Sequence, residues 1–352
     1  MLACATRHRL WLPAAWALLC WTGICVAQAQ APGPTRSLVD AAGRTVVIPA
    51  KVNRVADPWH ANNAMVLMLG GADKLVATSW QAQRQPWFEK LYPPYANIPA
   101  VFNAAGDVNI EALVATRPDV ILMAYGGVLP KWLGAVEALH IPVVMMPSQT
   151  LADLKTTARM TGEIIGEVRA AEEYIRYFEG NIRRVASATA NIPPQERLKV
   201  LHTATSSIFN IDGRDSVVDD WIRLAGATNA ATVVGNARAV SLEQIIAWDP
   251  DVIIVGTAPN LQNRQAILDD PRWGRIKAVK TGRVYVNPAG AYLWDRHSAE
   301  AALQVLWAAK TLYPARFGSI DIKAETLQFY EKFFHHSLTD TEYRSIIDAT
   351  AP

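Results

Sequence analysis

Residues 107–122 read DVNIEALVATRPDVIL, residues 239–254 read AVSLEQIIAWDPDVII, and the two align as copies of one phrase. Val108 falls opposite Val240, Glu111 opposite Glu243, and Pro118-Asp119-Val120-Ile121 opposite Pro250-Asp251-Val252-Ile253. Each copy begins with a helix-capping side chain, Asn109 or Ser241, runs through an apolar helical pattern, turns at Pro-Asp and enters a β-branched run. Such a run suits a strand of a parallel sheet covered by helices on both faces. The repetition predicts an α/β protein of two related lobes, each a central, mainly parallel sheet flanked by helices. Apolar runs at 54–56, 75–78 and 143–146 add strands to the first lobe, and runs at 199–202 and 284–286 add strands to the second.

Between the lobes, residues 151–188 lack proline, and Leu154, Ala158, Ile165, Val168, Ile175, Phe178, Ile182 and Val185 follow a helical stripe. This predicts one rigid joining helix of about 50 Å, stopped by Asn191-Ile192-Pro193-Pro194. The chain then divides into a leader at 1–29, an α/β lobe at 30–150, a linking helix at 151–190, an α/β lobe at 191–310 and a helical tail at 311–352. In the tail, helical spacing predicts two short helices packed on a lobe. His335-His336 reads as surface, because neighbouring residues face different sides of a helix.

The leader has a basic start at Arg7, His8 and Arg9, an apolar run LWLPAAWALLCWTGICV, and a small-x-small exit at Ala27-Gln28-Ala29. That pattern predicts a cleaved secretory signal peptide, and the apolar run is short of the roughly 20 residues of a membrane span. Cys4, Cys20 and Cys25 are the only cysteines, so a mature chain has neither disulfides nor thiolate chemistry. Cleavage also removes Arg7 and Arg9 and no acid, which evens the 34 basic and 32 acidic residues of the full chain and argues against a nucleic-acid partner. No G-x-S-x-G elbow, H-E-x-x-H helix, phosphate loop or G-x-G-x-x-G motif is present, so an enzyme is the weaker reading.

RTVVIP (44–49), NRVAD (53–57), LGGADKLVATSW (69–80), the first repeat copy, LAGATNAA (224–231), the second copy, WGRIKAVKTGRVYVNP (273–288) and LWAAKTLYPARF (306–317) occur in an order that covers nearly the whole mature chain. In that order they resemble the periplasmic substrate-binding proteins of ABC importers for iron-siderophore, haem and cobalamin complexes. The resemblance implies a monomer in the periplasm without intrinsic cofactor, with a shallow cleft between rigidly joined lobes and an inner-membrane permease dimer as partner. It also implies one exposed acid per lobe for docking onto the permease, here Glu111 and Glu243. The competing explanation is local, since an acid in the first turn of a helix is favoured by the helix dipole.

A ligand is expected where the carboxyl ends of strands from the two lobes face each other. The first lobe offers Trp59, His60, Trp80, Arg84 and Tyr125 there. The second offers His202, Arg238 and the stretch GAYLWDRHS (290–298), with Tyr292, Trp294, Arg296 and His297. Aromatic rings supply flat apolar contact, and Arg and His meet anionic or metal-bound donors; for any single ring, core packing is the competing explanation. Ser298 is read as the N-cap of the following helix, Glu300 as an acid in its first turn, and Asp295-Arg296 as a surface pair. An iron-siderophore chelate is the leading expectation. The alternatives are a transition metal such as nickel or zinc, free or with a small chelator and held by His60 and His297 with His202 and Asp57 in reach, and haem or cobalamin.

Overall fold

In the computed structural model, which describes Met1 and residues 33–103, 106–204, 206–256 and 260–352, the repeated phrase folds the same way twice. The leader at 1–29, with its three cysteines and exit site, lies outside the described residues. A hairpin of β1 (Thr35–Val39) and β2 (Thr45–Pro49) precedes the first sheet, built from β3 (Val55–Asp57), β4 (Leu75–Ser79), β5 (Ala100–Phe102), β6 (Val120–Tyr125) and β7 (Val143–Pro147). The second is built from β8 (Lys199–Thr203), β9 (Asn210–Ile211), β10 (Thr228–Asn229), β11 (Arg238–Ala239), β12 (Val252–Val255) and β13 (Val284–Val286). The first sheet is parallel throughout, in the order β5-β4-β3-β6-β7. The second follows β11-β9-β8-β12-β13, parallel at β8, β10, β12 and β13, with β9 antiparallel to β8 and β11.

The repeat's conserved spacing has a physical cause in each copy. Asn109 and Ser241 cap the helices Ile110–Ala115 and Leu242–Trp248, accepting the backbone N–H of Ala112 and of Gln244. The matched residues Arg117 and Asp249 take left-handed φ of 45° and 41°, which turns the chain back toward the sheet. The Asp119 carboxylate then accepts the amides of Asn53 and Arg54 at 2.7 and 2.9 Å, and Asp251 accepts that of Lys199 at 2.8 Å. Each aspartate thereby ties the repeat strand to the start of its neighbour, β3 or β8.

Successive strand residues pack into different cores. Val55, Val120, Leu122, Val144 and Met146 share one core with Val200, Val252 and Ile254 of the second sheet, while Ile121, Val143 and Met145 face away on one side and Leu201, Ile253 and Val255 on the other. Burial on both faces explains the continuous apolar runs.

The expected helix over 151–188 is corrected to two. Leu151–Ile165 ends at Gly166, whose φ of 82° is left-handed, and Val168–Thr189 follows. The 22-residue second helix is about 33 Å long and makes the join between the lobes. In the tail, Ile322–Phe329 and Asp340–Ile347 are the two expected helices. The tail touches more than one lobe: Lys332, between these helices, pairs with Glu173 of the joining helix at 2.9 Å, Lys90 of the first lobe pairs with Glu342 at 2.7 Å, and the Ala289 amide of the second lobe donates to Ile346.

Candidate functional site

In the first sheet the crossover direction reverses between β3 and β6, and open parallel sheets leave a crevice at that point. A cavity of about 170 Å³ occupies it, lined by Trp59 and His60 after β3, Ser79 at the end of β4 and Gln81 beyond it, Asn103 after β5, and Met123 of β6. Asp57 lies at the end of β3, just before Trp59 and His60. Its buried carboxylate accepts the Trp59 amide at 2.9 Å and the Asn62 side-chain amide at 2.8 Å, so it orients the segment Trp59-His60 and is not free for a metal. Burial raises its pKa well above the ordinary range.

Rings from the two lobes meet across the cleft. Trp59 stacks on His297 with centroids 5.3 Å apart, and His60 stands edge-on to Tyr292 at 4.9 Å. Both nitrogens of His297 and Nδ1 of His60 are buried without a hydrogen-bond partner. Burial lowers both imidazoles, His297 to about 4, so both are neutral at pH 7. Of the expected residues, these four are the ones the fold brings together.

The rest of the loop faces inward, and several expectations are corrected here. His202 is fully buried on β8 with both nitrogens committed, Nδ1 to Asp212 at 2.9 Å and Nε2 to Asp295 at 3.0 Å. Arg296 completes this network at 2.9 Å from Asp212 and 3.8 Å from Asp295, so Asp295-Arg296 is no surface pair. Burial works against the charged form of His202, but hydrogen bonds to Asp212 and Asp295 outweigh it and raise the pKa; Asp212, opposed by burial in the same way, is lowered. Trp294 is wholly buried and donates its indole N–H to Glu300 at 3.0 Å, leaving no face for a ligand. Ser298 does not cap the following helix: its hydroxyl donates to the Leu293 carbonyl, the helix starts at Ala301, and Glu300 stands at the cap position.

The remaining candidates lie apart. Trp80 and Arg84 are exposed, with the guanidinium 4.9 Å from the indole centroid. Tyr125 is half-buried, and its carbonyl accepts the Ser148 hydroxyl. Arg238 is exposed on β11 at the edge of the second sheet. Among the described residues no three His, Asp or Glu side chains are placed to hold a metal ion together, so His60, His297, His202 and Asp57 do not form a metal cage. Gln81 escaped the sequence reading although its Oε1 is buried and unpaired beside the cavity; the signal was its place two residues beyond a strand's carboxyl end.

The profile of the periplasmic binding protein family matches residues 60–291, the span that runs from the first cleft histidine to the second cleft loop. The chain belongs to that family. The molybdate-binding protein MolA of Haemophilus influenzae is 26% identical over 327 residues, 86% of this chain and 92% of that protein. Its molybdate-bound crystal structure superposes with a TM-score of 0.76 at 25% identity, covering 86% of this chain and 99% of the other. A vitamin B12-binding protein of Pectobacterium atrosepticum is 27% identical over 62% of this chain and 76% of its own. A periplasmic solute-binding protein of Veillonella parvula superposes with a TM-score of 0.79 at 28% identity, over 90% of this chain and 98% of that one. These relatives are solute-binding transport proteins and not enzymes. Proteins of this family serve ABC importers, taking small-molecule ligands to an inner-membrane permease. On this periplasmic binding protein, Glu111 and Glu243 are both exposed in the first turns of the two repeat helices.

Proposed function

We propose that this periplasmic binding protein captures a compact metal chelate, a transition metal carried by a small organic ligand, at the base of its cleft. His60 and His297 reach the metal or its chelator, and Trp59 and Tyr292 supply flat walls. The observation that carries the reading is the group of three imidazole nitrogens, His60 Nδ1 and both of His297, buried there without partners. An unpaired buried polar group costs about 1–3 kcal/mol, so a ligand that satisfies these nitrogens is favoured over one that does not. A neutral imidazole also offers the lone pair that nickel, zinc or iron accepts. Two histidines are too few for a bare ion, so the chelator brings the other donors. A ferric siderophore that already fills every coordination position gains less from a free imidazole, and haem or cobalamin is larger than a space of about 170 Å³.

A second reading, a molybdate-type oxyanion, is favoured by the identity to MolA along 92% of that protein. Arg296 is committed to Asp212, so an anion would rely on neutral donors such as the histidine ring N–H groups and the Gln81 amide. Tryptophan fluorescence titrations separate the two, using nickel(II) with and without L-histidine, ferric siderophores, haem, cobalamin and molybdate. Quenching by the nickel–histidine complex, weakened at least tenfold in His297→Ala, is expected. Binding of molybdate alone transfers the assignment to the second reading, and an unchanged affinity in His297→Ala overturns the first.

A further inference from the structure

The loop that carries Tyr292 and His297 is held from outside by two residues the ligand does not reach. Glu300 is wholly buried and turns its side chain back into the loop. Its Oε2 accepts the Tyr292 amide at 2.7 Å, and its Oε1 accepts the Ala291 amide at 3.2 Å and the Trp294 indole N–H at 3.0 Å. The Tyr330 hydroxyl donates to the same Oε1 in a short contact and accepts the Ala291 amide at 2.9 Å. The fit is close enough that a Cβ at Gly290 would overlap both the Tyr330 hydroxyl and the Glu300 carboxylate. Tyr330 belongs to the tail, and its ring packs against Trp87 of the first lobe with centroids 5.6 Å apart. Lys90, from the same helix Pro86–Leu91, pairs with Glu342 further along the tail.

We propose that Glu300 and Tyr330 are positioning residues for ligand capture: they fix the loop of Tyr292 and His297 and tie it, through the tail, to the first-lobe helix Pro86–Leu91. The inference rests on the reading that this loop holds the ligand. Four donors and no acceptor converge on the carboxylate, so the clamp is complete when Glu300 is ionised and loses a partner when it is protonated. Burial raises its pKa to about 7. The titratable groups that face it are Tyr330 from the tail and Tyr174 from the joining helix, both held neutral by burial. A folded-state pKa raised to that value places the transition between the closed and the loosened clamp near neutrality.

Two arms of one experiment test this on the full mature protein, with Tyr330→Phe and Glu300→Gln as variants. In the first, without ligand, hydrogen exchange of the Ala291 and Tyr292 amides is slow in the wild type and at least tenfold faster in either variant. In the second, the nickel–histidine complex binds about tenfold more weakly to Tyr330→Phe. Wild-type affinity falls more steeply as pH drops through about 7 than that of Glu300→Gln, which keeps only the pH dependence of the chelate and its imidazole donors, a difference that a purely structural role does not produce. Unchanged exchange in both variants, or an affinity loss in Glu300→Gln that keeps the wild-type pH profile, overturns the clamp. If the nickel probe binds neither wild type nor variants, the ligand reading fails and the exchange arm still decides the clamp.

Discussion

His202 and His297 are both buried imidazoles of the second lobe, and their surroundings drive them in opposite directions. His202 lies between two carboxylates and is raised, so its folded form holds a proton the unfolded form releases. Its contribution to stability is complete below about pH 6.5 and is lost as pH rises through its folded pKa. His297 forms no ion pair among the described residues and burial lowers it to about 4, so the unfolded chain binds the extra proton and stability falls as pH drops from about 6.5 toward 4. Urea midpoints measured across pH are expected to lose the acid limb in His297→Phe and the alkaline limb in His202→Ala. His202→Ala also leaves Asp212 and Asp295 buried with, among the described residues, Arg296 as the cation paired with them, an expected loss of roughly 3–5 kcal/mol at pH 7. A loss below 1 kcal/mol would show that the network does not hold the loop. The sequence gives the residue types in GAYLWDRHS but not the direction each faces. Trp294 and Trp59 read alike as cleft tryptophans, and only the tertiary contact with Glu300 takes Trp294 inward.

At the scale of elements, the pair of helices Leu151–Ile165 and Val168–Thr189 depends on a close approach at Gly162. A Cβ there would stand 2.5 Å from the Ala171 Cβ and 3.0 Å from the Glu167 carbonyl. Gly162→Val is therefore expected to cost about 1–3 kcal/mol in chemical denaturation, with part of the loss recovered in the double variant with Ala171→Gly. No recovery would mean that the strain lies elsewhere. The apolar stripe across 151–188 was legible because both helices bury a face, but periodicity alone runs straight through a break. The glycine at 166 carried the missing information, since a left-handed glycine is a common end of a helix. Strands were more legible: a β-branched run after Pro-Asp has few places to go in a parallel sheet, and β6 and β12 both lie where the repeat puts them.

Across the whole molecule, one core joins the inward faces of both sheets, the joining helix and the tail, from Val55 and Val120 through Phe178 to Val252 and Phe329. A shared core holds the two lobes in a fixed relation, and with them the two exposed acids at matched positions of the repeat. We propose that the pair docks onto a two-fold permease dimer, where both contacts could form at once without either lobe having to move. The alternative, that each acid serves only its own helix, is worth about 0.3–1 kcal/mol apiece and predicts no effect of reversal beyond that small loss of stability. The double variant Glu111→Lys, Glu243→Lys is therefore expected to melt close to the wild type and to bind the chelate with unchanged affinity in solution, yet to abolish uptake in cells that depend on this importer. Each single reversal is expected to leave partial uptake, since one of the two contacts survives. Full uptake in the double variant would leave the acids to their helices, and a parallel collapse of ligand affinity would place their role inside the lobes instead of at the permease.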